Sequence, residues 1–284
     1  ESNIMGHVIG IDIGGSTTKI VGLNKGTIFS PLLVKATDTV SSIYGAFGKF
    51  LNENKLTLAD VERIMITGVG SSFINEKILG IPTYKVGEFL ATGYGGLFLS
   101  GLEKAVIVSM GTGTAFVMAE KGRAVHLGGT GIGGGTLLGL SSLTLNIRNF
   151  NDIVETARDG DLKNVDLSIG DITRDEIVGL PPDTTASNFG KVIDLASKAD
   201  VALGIINLVF QCIGVMAVFA SRNEKVEDVV LTGNLTMVPQ AKTVFDSLTK
   251  LHNIRFHMPT HAEYATAAGA SLISPDGHEV KAIG

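Results

Sequence analysis

Residues 10–19 combine the groups with which proteins hold a phosphate chain. Gly14 and Gly15 form a turn between two apolar runs, where backbone N–H groups can approach a phosphate without an intervening side chain. Asp12 precedes the turn and can hold a hydrated Mg²⁺, whereas Lys19 follows it and can place a positive charge beside the transferring phosphate. Hydroxyl donors are supplied by Ser16, Thr17 and Thr18. The segment predicts a phosphate-binding hairpin with a magnesium site at Asp12.

Two other glycine-rich segments have related properties. Residues 109–114 read SMGTGT after an apolar run, which predicts a second phosphate clamp with Thr112 at its tip. Residues 128–138 form a glycine run that leads directly into an apolar segment. A helix beginning in such a run offers free N–H groups and the positive end of its dipole, which favours a bound anion.

Two further positions are candidates for chemistry. The triplet Thr232-Gly233-Asn234 follows an apolar run, and a glycine there lets a nucleotide base lie on the backbone, although a plain turn explains the pattern equally well. Glu88 is the one carboxylate in the stretch 86–89. It is either a partner of a helix dipole or a general base for a hydroxyl that attacks a γ-phosphate, and the pattern leaves both open.

Hydrophobic periodicity predicts the elements that position these motifs. Each phosphate motif is a strand–turn–strand hairpin, unlike the strand–turn–helix of a Rossmann or P-loop unit. Because a similar hairpin opens each half of the chain, an internal repeat is indicated. The predicted strands are 7–12, 17–23, 61–67, 105–109, 114–120, 226–231 and 254–258. The predicted helices are 40–54, 71–79, 88–99, 136–145, 151–159, 199–223, 239–251 and 263–273.

This order predicts an α/β chain of two lobes. Residues 5–100 carry the first phosphate motif, and residues 101–284 carry the second phosphate motif and the nucleotide motif. We expect a hinge near residue 100 and expect the last helix, 263–273, to pack back toward the first lobe. Residues 160–185 are polar and contain Pro181-Pro182, which is typical of a loop-rich excursion.

Composition argues against several classes of function. The formal net charge of −5 gives no reason to expect nucleic acid as a partner. Cys212 is the single cysteine, which excludes an internal disulfide or a cysteine metal cage and fits a cytoplasmic location. Residues 201–220 are apolar enough for a membrane span, but Asn207 and Gln211 within them favour a buried or interface helix. We therefore expect no membrane association.

Several motifs, in order, resemble type II pantothenate kinases of the actin/hexokinase-type ATPase superfamily. They are GIDIGGSTTKIV, VSMGTGTAF, GGTGIGGGTLLGL, DIVETARDGDLKNVDLSIGDI, TTASNFGKV and VVLTGNL. The resemblance implies two RNase-H-like lobes with ATP in the cleft between them. It implies phosphorylation of pantothenate, the first step of coenzyme A biosynthesis. It also implies a homodimer with the helix 199–223 near the interface.

The resemblance also assigns roles to individual residues. Glu88 matches the catalytic base of the family, with Lys19 beside the phosphates. The implied ATP-binding positions are Gly14, Gly15, Ser16, Thr17, Thr18, Lys19, Ile20, Val21, Thr112, Gly134, Gly135, Thr136, Leu137, Leu138, Phe150 and Asn234. The implied substrate positions are Thr112, Ala115 and His126. Two of these depart from the family pattern, because His126 stands where the family usually has Arg and Ala115 where it usually has Ser.

Other functions remain open from the sequence. A kinase for another hydroxyl substrate, such as an amino sugar or a pantetheine-like compound, would keep the ATP motifs and explain both departures. A non-catalytic nucleotide or CoA sensor is disfavoured by the presence of Asp12, Lys19 and Glu88, whereas the two departures leave it open. An ATPase activator of the 2-hydroxyacyl-CoA dehydratase type has a similar opening motif, but two cysteines per chain bridge its iron–sulfur cluster, and this chain has only Cys212.

Overall fold

The computed structural model describes residues 6–35, 38–175 and 177–284. Its strands are β1 (His7–Ile13), β2 (Thr17–Asn24), β3 (Thr27–Lys35), β4 (Val61–Thr67), β5 (Thr83–Val86), β6 (Lys104–Met110), β7 (Thr114–Glu120), β8 (Arg123–Thr130), β9 (Leu167–Ser168), β10 (Thr185–Ser187), β11 (Asp228–Thr232), β12 (Arg255–His257) and β13 (Val280–Ala282). Its helices are α1 (Thr39–Asn54), α2 (Glu88–Ser100), α3 (Gly134–Leu145), α4 (Phe150–Ala157), α5 (Ile169–Ile172), α6 (Lys198–Glu224), α7 (Gln240–His252) and α8 (Ala265–Leu272).

Two mixed sheets share a five-strand order, to which the first sheet adds β13 at its edge. The first sheet runs β13-β5-β4-β1-β2-β3 and the second β12-β11-β6-β7-β8. In both sheets an antiparallel three-stranded meander, β1-β2-β3 or β6-β7-β8, is extended by two parallel strands. The two-lobed α/β fold with RNase-H-like lobes is therefore confirmed, and the repeated hairpins are the opening pairs of the two meanders.

The first lobe follows from the alternation along β1. Ile9, Ile11 and Ile13 lie in one fully buried cluster with the aromatic residues of α1. Gly10 lies on the opposite face, where a Cβ atom would come within 2.0 Å of the Ala267 carbonyl oxygen in α8. One face of β1 thus packs on α1 and the other on α8, as the period of two requires.

The second lobe is built around α6. Its apolar residues, including Phe210, join those of β6 and α7 in the largest buried cluster. The helix begins at the cap residue Ser197, whose hydroxyl accepts a hydrogen bond from the Asp200 N–H at 3.1 Å. Its length and composition would also permit a membrane span, but 61% of its most apolar window is buried inside the protein. A core helix explains the apolar run, as the sequence favoured.

Helices α2 and α8 pack between the two sheets. Glycines make this possible: a Cβ atom on Gly95 would lie 1.7 Å from the Ala265 carbonyl oxygen, and one on Gly269 would lie 1.7 Å from that of Ala91. On the other side of α2, a Cβ atom on Gly96 would meet Ile107 of β6 at 2.6 Å. The glycines that weaken α2 as an isolated helix are therefore the residues that let it contact both neighbours.

The structure corrects several predicted elements. The predicted helix 71–79 is absent; two 3₁₀ turns, Val69–Phe73 and Ile78–Gly80, lie there instead. The strands β3, β5, β8, β9, β10 and β13 were not predicted. Strand β13 pairs antiparallel with β5 in the first sheet, although its residues were assigned to the second lobe, and α8 packs against β1 of that sheet. The boundary near residue 100 stays a prediction.

The crossing of α2 and α8 leads to a stability prediction. Gly269→Ala should lower the free energy of unfolding by about 3 kcal/mol or more, because its methyl group would overlap the Ala91 carbonyl. The matched control is Gly45→Ala in α1, where no atom lies within 4 Å of the added Cβ. We expect that substitution to raise stability by about 0.5–1 kcal/mol. Urea unfolding followed by circular dichroism measures both, and equal stabilities would show that the crossing is not tight.

Candidate active site

A cleft of about 380 Å³ opens between the two lobes. The first lobe contributes the β1–β2 hairpin and Glu88, and the second contributes the β6–β7 hairpin and the turn after β11. Thr266 of α8 also lines it. The predicted site residues that the structure brings together here are Asp12, Gly14, Gly15, Ser16, Thr17, Lys19, Glu88, Thr112, Ala115 and Asn234.

The first hairpin places Asp12 and Lys19 directly opposite each other. They are register partners in β1 and β2, and their side chains form an ion pair with 3.8 Å between Lys19 Nζ and Asp12 Oδ2. The Gly14 N–H closes the turn by donating to the Thr17 carbonyl at 3.0 Å. The N–H groups of Gly15 and Ser16 make no backbone hydrogen bond to any described residue. The hairpin tip thus has two donors available for a phosphate.

The second hairpin is held by the start of α3. The Gly134 N–H donates to the Gly111 carbonyl at 2.8 Å, and the Gly135 N–H donates to the Thr112 carbonyl at 2.9 Å. The expectation that the glycine run offers free N–H groups is therefore wrong for these two residues. Their role is to fix the hairpin tip, and the absence of side chains allows the close approach.

A polar contact joins the lobes across the cleft. Asn234 Nδ2 lies 3.4 Å from Thr17 Oγ1, while Asn234 Oδ1 is buried and has no partner among the described residues. Gly233 precedes it with φ of 90°, and a Cβ atom there would lie 2.5 Å from the Met110 carbonyl oxygen. Only glycine allows the turn to approach β6 this closely, and this approach brings Asn234 to the cleft.

The two carboxylates of the cleft are held in an unfavourable environment. Burial raises the pKa of Asp12, and the nearby Lys19 charge opposes that effect. Partial burial raises the pKa of Glu88, repulsion by Asp12 adds to the rise, and Lys19 again opposes it. A raised pKa makes Glu88 a better proton acceptor near neutral pH than an ordinary glutamate.

The same two carboxylates are the candidate ligands of the predicted metal site. The described residues contain no group of three or more His, Cys, Asp or Glu side chains placed to hold a metal ion. Mg²⁺ in phosphate-transfer sites commonly takes one or two carboxylates, with phosphate oxygens and water as the other ligands. Gly68 leaves space beside Asp12, since a Cβ atom there would come within 2.6 Å of Asp12 Oδ1. Asp12 therefore fits such a site, with Glu88 in the same cleft.

The other predicted site residues do not line the cleft. Ile20 and Val21 are fully buried in the core, and Thr18 is buried with an unpartnered hydroxyl group among the described residues. His126 lies on β8, where its ring stacks on Phe89 with 3.8 Å between centroids. The remaining residues outside the lining are Gly134, Gly135, Thr136, Leu137, Leu138 and Phe150.

Sequence reasoning missed several residues of the cleft. Val69 and Thr266 line it but belong to no predicted motif, whereas Thr114 and Thr130 lie within predicted motifs without having been assigned a role of their own. Thr114 adjoins the second glycine turn, so its position there was a usable signal. Thr266 lies in a run of small residues that resembles a plain packing helix, and no local pattern marks it.

Comparison with known proteins identifies the family. A profile of the Fumble family matches residues 104–272, which is more than half of the chain. The chain belongs to the Fumble family. It is 28% identical to the type II pantothenate kinase of Bacillus cereus, over 88% of this chain and 92% of that protein. It is also 28% identical to the type II pantothenate kinase of Staphylococcus haemolyticus, over 94% of this chain and 99% of that protein.

Solved structures support the fold of this Fumble-family chain. One is the activator of the 2-hydroxyisocaproyl-CoA dehydratase from Clostridium difficile with bound ADPNP, at a TM-score of 0.67 and 14% identity, covering 94% of this chain and 93% of the other. Another is a ROK family glucokinase from Streptomyces griseus in complex with glucose and AMPPNP. Its TM-score is 0.61 at 14% identity, and the match covers 96% of this chain and 100% of the glucokinase chain. At this identity the likeness shows the fold alone.

The raised pKa of Glu88 predicts a pH-dependent stability difference. A carboxyl group with a raised folded pKa stabilises the protein below its unfolded pKa, and this contribution is lost as the pH rises through the folded value. Glu88→Gln should therefore match the wild type near pH 4 and be more stable at pH 8, with the gain developing above the ordinary glutamate value of 4.5.

Urea unfolding midpoints across this pH range test that expectation. The matched control is Glu103→Gln, which removes an exposed carboxylate that forms no ion pair with the described residues. A Glu88→Gln gain that is constant with pH, or that Glu103→Gln reproduces, would contradict the assigned environment of Glu88.

Proposed function

We propose that this Fumble-family chain is an ATP- and Mg²⁺-dependent kinase that phosphorylates pantothenate to 4′-phosphopantothenate, the first step of coenzyme A biosynthesis. The observation that carries the proposal is the placement of Glu88 in one cleft with two glycine hairpins and the Asp12–Lys19 pair. The resemblance to type II pantothenate kinases over nearly the whole chain supports pantothenate as the acceptor. The proposed location is the cytoplasm.

The phosphate chain of ATP fits between the hairpin tips. The N–H groups of Gly15 and Ser16 are available on one side, and the tip carrying Thr112 is fixed by α3 on the other. Lys19, whose side chain is 8% exposed, supplies a charge in a partly desolvated environment, where it acts more strongly than in water. These groups hold the γ-phosphoryl group for in-line transfer, and Asn234 contacts the nucleotide from the second lobe.

Mg²⁺, held by Asp12 directly or through water, would neutralise charge on the phosphates when bound. Glu88 accepts the proton of the primary hydroxyl group of the acceptor as its oxygen attacks the γ-phosphorus. Partial burial and the Asp12 charge raise the pKa of Glu88, so the carboxylate retains more of the basicity that proton transfer requires. Both roles belong to side chains that the cleft brings together.

The environment of His126 favours a second candidate acceptor. Its ring is stacked on Phe89, and of the described residues that line the cleft only Lys19 is cationic. An acceptor carboxylate such as that of pantothenate would therefore find no second cation there. A kinase for a hydroxyl compound without a carboxylate, either pantetheine-like or an amino sugar, fits this observation.

Turnover with a defined acceptor tests the proposal. The wild type should release ADP from Mg-ATP when pantothenate is present, and Glu88→Gln should lower kcat by about 10²–10⁴-fold because it removes the proton acceptor. A coupled ADP assay measures the rate, and calorimetry with an ATP analogue should show unchanged nucleotide binding. Glu103→Gln serves as the control and should retain wild-type turnover.

Each of the other possible results supports a different assignment. Turnover with pantetheine or an amino sugar but not with pantothenate would establish the second candidate. Nucleotide binding without turnover of any of these acceptors would indicate a sensor. Near wild-type turnover by Glu88→Gln would remove Glu88 from the role of base.

We also propose that the chain forms a homodimer through α6. Met216 and Phe219 lie one turn apart on this helix, and Phe219 is 62% exposed, although most of the helix is buried. Large exposed apolar residues also precede the helix, among them Leu195. An apolar surface of this kind is typical of an interface between subunits.

Phe219→Glu should therefore shift the protein from dimer to monomer, because a charge would replace a large apolar group in the contact. The control is Leu58→Glu, which places the same change at an exposed apolar position in the first lobe. Light scattering after size-exclusion chromatography reports the mass of each variant. A monomeric wild type, or an unchanged Phe219→Glu dimer, would contradict the assignment.

A further inference from the structure

Two buried threonine hydroxyl groups meet where α2 and α8 border the cleft. Thr92 Oγ1 and Thr266 Oγ1 lie 3.2 Å apart, and the two residues are 2% and 9% exposed. Thr266 lines the cleft, whereas Thr92 does not. The close crossing of the two helices at Gly95 and Gly269 fixes the pair.

The direction of this hydrogen bond follows from the number of available protons. Each hydroxyl group has one proton to donate, and neither group makes another hydrogen bond to a described residue. If Thr266 donated, the Thr92 proton would be left without a partner inside the protein, which is costly for a buried group. If Thr92 donates, the remaining proton is that of Thr266, which faces the cleft. The second arrangement satisfies both groups once the cleft contains an acceptor of hydrogen bonds.

The Thr266 hydroxyl group and the proposed base line the same cleft. Glu88 and Thr92 are four residues apart in α2, so their side chains lie on the same face of the helix, and Thr266 adjoins Thr92. Glu88 makes no hydrogen bond or ion pair with any described residue, and Thr266 does not reach it. A group between them would be able to accept a hydrogen bond from Thr266 while it donates its own proton to Glu88.

We propose that Thr266, oriented by Thr92, positions the hydroxyl group of the phosphoryl acceptor for attack. The acceptor oxygen receives the Thr266 hydrogen bond on one lone pair, donates its proton to Glu88 and keeps another lone pair for the γ-phosphorus. The P–O bond to ADP breaks as the new P–O bond forms, and Glu88 retains the proton until product release. The inference rests on the proposed kinase function and adds a residue that determines acceptor geometry.

Substitution of the two hydroxyl groups tests this assignment. Thr266→Val keeps the shape of the side chain and should lower kcat/KM for pantothenate about tenfold, which is the loss of one hydrogen bond of about 1.4 kcal/mol. Thr92→Val should cause a smaller loss, about threefold, because Thr266 then keeps its hydroxyl group but loses its orientation. The dissociation constant of an ATP analogue, measured by calorimetry, should stay within twofold of the wild type for both.

Two controls separate this role from packing. Thr266→Ser keeps the hydroxyl group but loses the methyl group, so it should retain most of the activity. A packing role would reverse the order, because Thr266→Val keeps the shape of the side chain and Thr266→Ser does not. Ser271→Ala removes a buried hydroxyl group from the same helix, one that donates to the Ala268 carbonyl and does not line the cleft. It should leave kcat/KM unchanged. Unfolding temperatures show whether each variant is folded.

Further outcomes separate the inference from the proposed function. Wild-type turnover of pantothenate with an unaffected Thr266→Val overturns the inference and leaves the function standing. If the wild type does not use pantothenate, the inference is tested by ADP release without an added acceptor. In that assay water takes the position of the acceptor hydroxyl group. Slower release by both Val variants, but not by Thr266→Ser, supports the inference, and equal rates overturn it. A wild type that releases no ADP in either assay overturns both.

Discussion

The contact between α2 and α8 is the constraint on which the rest of the structure depends. Each sheet packs on one of these helices or both, so the distance between the helices sets the distance between the lobes and the width of the cleft. Their backbones meet where Gly95 and Gly269 carry no side chain. Because Glu88 begins α2 and Thr266 lies in the first turn of α8, the same contact places both groups at the cleft.

Glycine has a different structural role at each part of the site. At Gly15 it exposes the tip of the first hairpin, whereas at Gly134 and Gly135 it lets α3 approach and hold the second hairpin. The two hairpins are related by the repeated fold, but within the described part of the chain the start of α3 holds the second hairpin and no α-helix start hydrogen-bonds to the tip of the first. The cleft therefore combines an open phosphate clamp with a fixed one, which is a direct consequence of where the glycines occur.

The sequence predicted the features that depend on local pattern. The β1–β2 and β6–β7 hairpins were recognised because strand alternation and a glycine turn are both short-range signals. Strand β3 was missed because Ser30, with φ of 45°, and Pro31 interrupt its alternation, and β13 because its partner β5 is remote in the chain. The pairing of Gly134 with Gly111 is likewise a tertiary contact, so no sequence pattern distinguishes these N–H groups from free ones. Thr266 was missed for the same reason, because the crossing of α8 and α2 brings it beside Thr92 at the edge of the cleft.

The electrostatics of the cleft show why its geometry needs external support. Asp12 and Glu88 repel each other and are both partly desolvated, and Lys19 offsets only part of this cost. Removing one carboxylate would relieve the strain, so these side chains are held in place by the surrounding packing rather than by their own interactions. The glycine-mediated crossing of α2 and α8 supplies that packing on the side of Glu88, and the β1–β2 register supplies it for Asp12. A bound cation would make the electrostatic environment favourable, since the same two carboxylates would then stabilise the loaded site.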